Sequence, residues 1–184
     1  LAVHSDADWA GEVPDRRSTS GGLVELGGVL LTSWSRTQKS TALSSAESEY
    51  DGLVSAAMEA SVLRSVMSEM NIQVGICIKT DSSAAKSFAS KFGLSKPKHV
   101  QLRYAFPKQL VQEGIVVLEK VNTSENPADV LTKPLEESKL KACLKKIGSL
   151  RVIDKTLEVN IVEIGPEEKQ QEDLFDHLFQ YFVA

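Results

Sequence analysis

The feature that most constrains this chain is a short apolar stretch that ends in acid. Leu1 to Ala10, LAVHSDADWA, reads as a buried strand that presents Asp6, with Asp8 two residues on. Three later stretches repeat the device: SSAESEY with Glu47 and Glu49, IKTDSSAA with Asp81, and NTSENPADVLTK with Asp129. Taken singly, each acid is an ordinary helix cap or a solvated side chain. Brought together, they repel, and must either hold protons at neutral pH or bind a cation. The second case requires a fold that delivers several element ends to one edge of a sheet.

The pattern along the chain predicts such a fold. Glu12 to Gly22, EVPDRRSTSGG, reads as a loop, with Pro14 and paired glycines. GGLVELGG and VLLTSWSR are apolar strands around a Gly27-Gly28 turn, so residues 1–36 form a three-stranded antiparallel meander. A long helix follows, capped by Ser44 or Ser45, with Ala46, Tyr50, Leu53, Val54 and Ala57 at helical spacing up to about Met70. Glu47 and Glu49 fall at opposite edges of that apolar stripe, and periodicity does not choose between them. Asn71 and Gly75 break the helix. GICIKTD is then a buried strand ending at Asp81, with Asp81 or Ser82 capping the helix SSAAKSFASK. A helix from about Val100 to Gln112, interrupted by Pro107, leads to the strand IVVLEKV. Pro127 opens a short helix bearing Asp129, Pro134 ends it, and LEESKLKACLKKIG is an amphipathic helix stopped by Gly148. Its lysines read as a solvated face.

Composition bounds the class. The 184 residues, 42% hydrophobic and 25% charged, suit one globular domain with an appendage. No apolar run can cross a bilayer, and no secretory signal pattern is present. The chain begins at Leu, which reads as a segment of a longer product. Cys77 and Cys143 do not make a disulfide framework and read as reduced thiols of an intracellular protein. The net charge of −4 is unevenly spread: Arg151 to Ala184 carries −5 and residues 1–150 carry +1. The acidic tail, with an amphipathic segment containing Leu174, Phe175, Leu178, Phe179 and Phe182, masks a nearly neutral body able to meet a polyanion. Residues 1–150 are therefore read as the domain, and 151–184 as an appendage of unknown role. Lys91, Lys96, Lys98, His99, Arg103 and Lys108 form its densest basic group, with Lys96, Lys98, His99 and Arg103 taken as the nucleic-acid contacts. A solvated loop is the competing reading.

An all-carboxylate donor set suits Mg²⁺ or Mn²⁺, which keep waters and accept phosphate oxygens. Two such ions about 4 Å apart can activate a water and stabilise the leaving oxygen of a phosphodiester. Zinc is not indicated, because His4, His99, His177 and the cysteines lack ligand spacing. Trp9 and Trp34 read as packing residues, and the Asn122-Thr123-Ser124 sequon as chance.

SDADWAG, DRRSTSGG, SWSRTQKSTALSSAESEY, TDSSAA, KHVQLRY and NPADVLTKPL, in this order and spacing, closely resemble the ribonuclease H domain of copia-type LTR retrotransposon polyproteins, which follows the reverse transcriptase. The resemblance covers about residues 3–150. It implies an α/β ribonuclease H-like fold: a five-stranded mixed sheet, three antiparallel strands then two parallel, flanked by helices. It also implies metal-dependent hydrolysis of the RNA strand of RNA–DNA hybrids, with two Mg²⁺ ions (Mn²⁺ as the alternative) and an upstream reverse transcriptase as partner. Residue by residue it gives the metal ligands as Asp6, Glu49 rather than Glu47, Asp81 and Asp129. Asp6 would bridge both ions, Glu49 would lie near the ribose 2′-OH, and Asp129 would hold the ion carrying the attacking water. The loop before Asp129 lacks the His that bacterial-type enzymes often carry there, and there is no basic handle helix. The acidic tail has no counterpart. Two other functions compete: an inactive polyprotein remnant serving as a structural or nucleic-acid-binding module, and a transposase or integrase relative. Retention of all four acids opposes the first, and the ADVLTKP context opposes the second.

Overall fold

The structure, a computed structural model, describes residues 1–11, 15–90, 102–147, 151–153 and 156–158. The chain divides into two compact units, Leu1–Gly148 and Ser149–Ala184. In the second, β6 (Arg151–Ile153) and β7 (Thr156–Glu158) pair antiparallel. The expected tail helix, Lys96, Lys98 and His99 lie outside the described residues.

The first unit is built on a five-stranded sheet of order β3-β2-β1-β4-β5. β1 (Ala2–Asp8), β2 (Thr19–Leu26) and β3 (Val29–Thr37) are antiparallel neighbours. β4 (Ile76–Thr80) and β5 (Val116–Lys120) add in parallel beyond β1. This is the mixed sheet the resemblance implies. Leu26 pairs with Val29 across Gly27 and Gly28, at φ 59° and 85°. Two positive φ values are what a tight hairpin turn between right-twisted strands requires, and glycine supplies them without strain.

β2 begins earlier than expected. It starts at Thr19, two residues before the expected GGLVELGG strand. The paired glycines serve contact instead of a turn: a Cβ on Gly22 would strike the Trp34 ring at 2.3 Å, and one on Gly21 would meet Leu131 and Thr132 at 2.8 Å. Glycine inside a strand often marks such a close approach.

The central helix is α1 (Ser45–Glu69), with α2 (Ser83–Ser90), α3 (Leu102–Gln112) and α4 (Glu137–Lys146) following in order. Ser44 Oγ accepts from the Glu47 amide and caps α1. At its other end Asn71 takes φ 63°, and the Asn71 and Ile72 amides donate to Ser68 and Met67 carbonyls, a Schellman stop. Leu53, Val54, Ala56, Ala57 and Ala60 of α1 pack on Val3, Val24, Trp34, Ile76 and Ile78 of the sheet. The run of small residues lets the helix lie close. α3 continues through Pro107 instead of being interrupted there. The missing amide forfeits one helical bond, while the ring is fully buried and its packing offsets that loss.

Candidate active site

Register delivers the first two acids. β1 and β4 run parallel with Ser5 opposite Thr80, so Asp6 and Asp81 leave the same sheet edge one residue later. Ser82 Oγ accepts from the Ala85 amide and caps α2, which leaves the Asp81 carboxylate free of capping.

The third acid comes from α1. Gly52 has no side chain to hold the helix off β1: a Cβ there would lie 3.2 Å from the Asp6 carbonyl and 3.3 Å from Ser5 Oγ. Glu49 is one turn earlier on the same helix. Buried Gln38 pins that end of the helix, its Nε2 donating to Ser20 Oγ at 2.8 Å and to the Ser48 carbonyl at 2.9 Å. As a result one carboxylate oxygen each of Asp6, Glu49 and Asp81 lie within 4.8 Å of one another. Glu47, which periodicity could not separate from Glu49, accepts from the Leu43 amide at 2.7 Å and belongs to the helix start. Asp8 folds over Gly11 and is not among the clustered acids.

Asp129 comes to Asp6 on the segment that follows β5. Asn126 donates to the Ser5 carbonyl at 2.9 Å and accepts from the Ala128 amide at 3.3 Å, which starts the 3₁₀ helix Pro127–Leu131 against β1. Gly21, opposite Asp6 in β2, opens the space for this segment. Thr132 Oγ1 then donates to Asp6 Oδ2. Lys133 Nζ sits 3.4 Å from Asp6 Oδ2 and 3.0 Å from Asp129 Oδ1, and Lys139 Nζ from α4 is 2.5 Å from Asp129 Oδ2. The buried Asp129 is therefore joined to Asp6 through an ammonium.

The sequence did not single out Thr132, Lys133 or Lys139. Lys133 carried one signal, its position four residues after Asp129. Lys139 carried none, because α4 reaches Asp129 only through tertiary folding, and its lysine is bound where a solvated face was expected. Arg103 belongs to α3.

The electrostatics follow from burial. Desolvation is the main cause that pushes Glu49 up to about 8, with Asp6 and Asp81 adding to it. Asp6 is also raised, chiefly by burial, although Thr132 and Lys133 oppose the shift. Burial works against the Lys133 charge, but Asp6 and Asp129 outweigh it and raise its pKa. His4 is driven down to about 4 by burial and by Lys79 and Lys146, so it is neutral at pH 7, and it is not among the clustered ligand candidates. Glu49 Oε2 and Asp81 Oδ1 are buried without hydrogen-bond partners. Unsatisfied buried oxygens on two of three converging acids are what a hard divalent cation would satisfy. The Asp6, Glu49 and Asp81 set fits Mg²⁺ or Mn²⁺.

Comparison with known proteins places this arrangement. No protein-family model matches the chain. The chain is 34% identical over 155 residues to the retrovirus-related Pol polyprotein from transposon RE2 of Arabidopsis thaliana, covering 83% of the chain and 11% of the relative. It is 30% identical over 150 residues to that from transposon TNT 1-94 of Nicotiana tabacum, covering 80% and 11%. The chain thus spans about a tenth of the length of these curated relatives. Among solved structures, LC11-RNase H1 in complex with an RNA/DNA hybrid superposes with a TM-score of 0.53 at 13% identity, over 71% of this chain and 92% of that one.

The chain has the ribonuclease H-like fold and is similar to one stretch of retrotransposon Pol polyproteins.

Its motifs and its sheet topology thus agree on one fold. In this ribonuclease H-like domain the two cysteines are free, with Cys143 buried. Among the described residues no helix is long and apolar enough to cross a membrane.

Proposed function

We propose that this chain is a metal-dependent ribonuclease H that cuts the RNA strand of RNA–DNA hybrids during retrotransposon reverse transcription. The observation that carries the proposal is the convergence of Asp6, Glu49 and Asp81, with buried oxygens left unsatisfied, on the sheet edge where β1 and β4 end. Relatives that are Pol polyproteins, and a fold shared with a protein solved on an RNA/DNA hybrid, support the substrate class.

Asp6, Glu49 and Asp81 are the residues that would hold the cation. When bound, such an ion lowers the pKa of a coordinated water and stabilises a leaving phosphodiester oxygen. Asp6 would be the shared anchor: its Oδ2 is held by Thr132, and one of its oxygens lies within 4.8 Å of oxygens of Glu49 and Asp81. Glu49, at the helix edge of the cluster, is placed to accept from a ribose 2′-OH, the group that separates RNA from DNA in the cut strand. Asp129 is joined to Asp6 through Lys133. In the two-ion scheme implied by the resemblance, it would take part in holding the second ion.

The activity is assigned to residues 1–150, with 151–184 as an appendage. Lys96, Lys98, His99 and Arg103 are proposed to track the duplex backbone, and the upstream partner is the reverse transcriptase of the same polyprotein. An intracellular setting follows from that role. The test is cleavage of a labelled RNA–DNA hybrid with Mg²⁺ against the same reaction with chelator. Metal-dependent shortening of the RNA is expected, whereas an uncut hybrid from a folded protein would favour the inactive remnant.

A further inference from the structure

The space between Asp6 and Asp129 already holds positive charge. Lys133 Nζ bridges Asp6 Oδ2 and Asp129 Oδ1, at 3.4 and 3.0 Å. Lys139 Nζ takes the remaining Asp129 oxygen at 2.5 Å, and Thr132 Oγ1 donates to Asp6 Oδ2. Asp6 Oδ2 and Asp129 Oδ1 therefore both face the Lys133 ammonium, although Asp129 Oδ1 makes no hydrogen bond.

A divalent ion of the Mg²⁺ class needs free oxygens at about 2.0–2.1 Å and brings its own water shell. Both Asp129 oxygens face an ammonium, Oδ1 by ion pairing without a hydrogen bond, and both lysines would have to leave first. Lys133 is tethered four residues from Asp129, and Lys139 arrives independently on α4. The carboxylates that fit an ion are Asp6, Glu49 and Asp81; Asp129 does not join their cluster.

We propose that Lys133, backed by Lys139, is the permanent cation of the Asp6–Asp129 half of the site, so that this chain holds one divalent ion instead of two. The inference rests on the ribonuclease H reading and assigns Lys133 a positioning role within it. Lys133 fixes the Asp6 carboxylate from the side away from the ion, and Asp129 serves to hold Lys133. An ammonium in place of an ion also makes that half of the site insensitive to metal concentration.

The test counts ions without using activity. The full chain is titrated with Mn²⁺, free and with an uncleavable hybrid of 2′-O-methyl RNA and DNA, by calorimetry and by electron paramagnetic resonance. One Mn²⁺ per chain is expected in both states, with no spin coupling between ions. Lys133→Met with Lys139→Met removes both charges at similar length and should raise the count to two, with a coupled spectrum. Lys133→Arg keeps the charge and should leave it at one. Two ions on the unaltered chain overturn the inference while leaving the ribonuclease H reading in place. One ion on a folded double variant also overturns the role of the lysines. Absence of any Mn²⁺ binding overturns the inference and the metal-dependent reading together. Should the double variant not fold, the count on the unaltered chain decides alone.

Discussion

Replacing Glu49 with glutamine keeps the shape of the side chain and removes a charge that the fold disfavours. Glu49 has its pKa moved from 4.5 to about 8, chiefly by burial and secondly by Asp6 and Asp81. Because the folded state keeps a proton that the unfolded chain releases, the metal-free protein loses stability as pH rises from 4.5 to about 8. Above that range the loss is constant. At about 1.4 kcal/mol per unit, the penalty is roughly 1 kcal/mol at pH 5, roughly 3 at pH 7 and up to about 5 at pH 9. Glu49→Gln should therefore be more stable than the parent in chelator, by a margin that widens over this range. Asp6 titrates in both proteins, so its own contribution largely cancels. Urea unfolding followed by circular dichroism at the three pH values measures the margin. Mg²⁺ at pH 9 should narrow it, since the ion stabilises only the parent's third carboxylate. Glu47→Gln is the control: it touches only the helix start and should cost at most about 1 kcal/mol. A Glu49→Gln margin that stays flat or shrinks with pH would refute the reasoning.

Other substitutions probe the rest of the site. Asp81→Asn should abolish hydrolysis and leave the circular dichroism spectrum unchanged, because it removes a ligand charge without altering shape; measurable turnover would exclude Asp81 from the site. Asp6→Asn should likewise abolish turnover while Asp8→Asn stays within a few-fold of the parent, as Asp8 lies over Gly11; the reverse order in steady-state rates would show that the wrong acid of the pair has been chosen. Gly21→Val should destabilise by about 1–3 kcal/mol in urea unfolding, since even a Cβ would meet Leu131 and Thr132 at 2.8 Å, and an unchanged midpoint would mean that the Asp129 segment does not need this close approach.

The strands, the central helix and three converging acids were legible because they rest on local signals. β1 and β4 are apolar runs that end in acid, and the Gly27-Gly28 turn sets the hairpin. The choice between Glu47 and Glu49 could not be read from periodicity, because both edges of an apolar stripe look alike. It was decided by Gly52, whose bare Cα lets α1 close on Asp6, and by the contact of Glu47 with the Leu43 amide. Gly21 and Gly22 were read both as the end of the loop and as the start of the strand, since a glycine pair signals a turn as readily as a close packing point. Asn126, Thr132, Lys133 and Lys139 were missed for a different reason. Their partners, Ser5, Asp6 and Asp129, come together only when the chain after β5 folds back on β1 and α4 reaches across, and no spacing rule records such pairings.

The most direct test of the central claim follows both strands of one substrate. A hybrid with separately labelled RNA and DNA strands is incubated with the full chain in Mg²⁺, beside a DNA duplex and an RNA duplex of the same sequence. The account predicts internal cuts in the RNA of the hybrid alone, an intact DNA strand, both duplexes uncut, and loss of cleavage on chelation or in Asp6→Asn. Cleavage that persists in Asp6→Asn or in chelator, or that falls equally on the DNA strand, would contradict it.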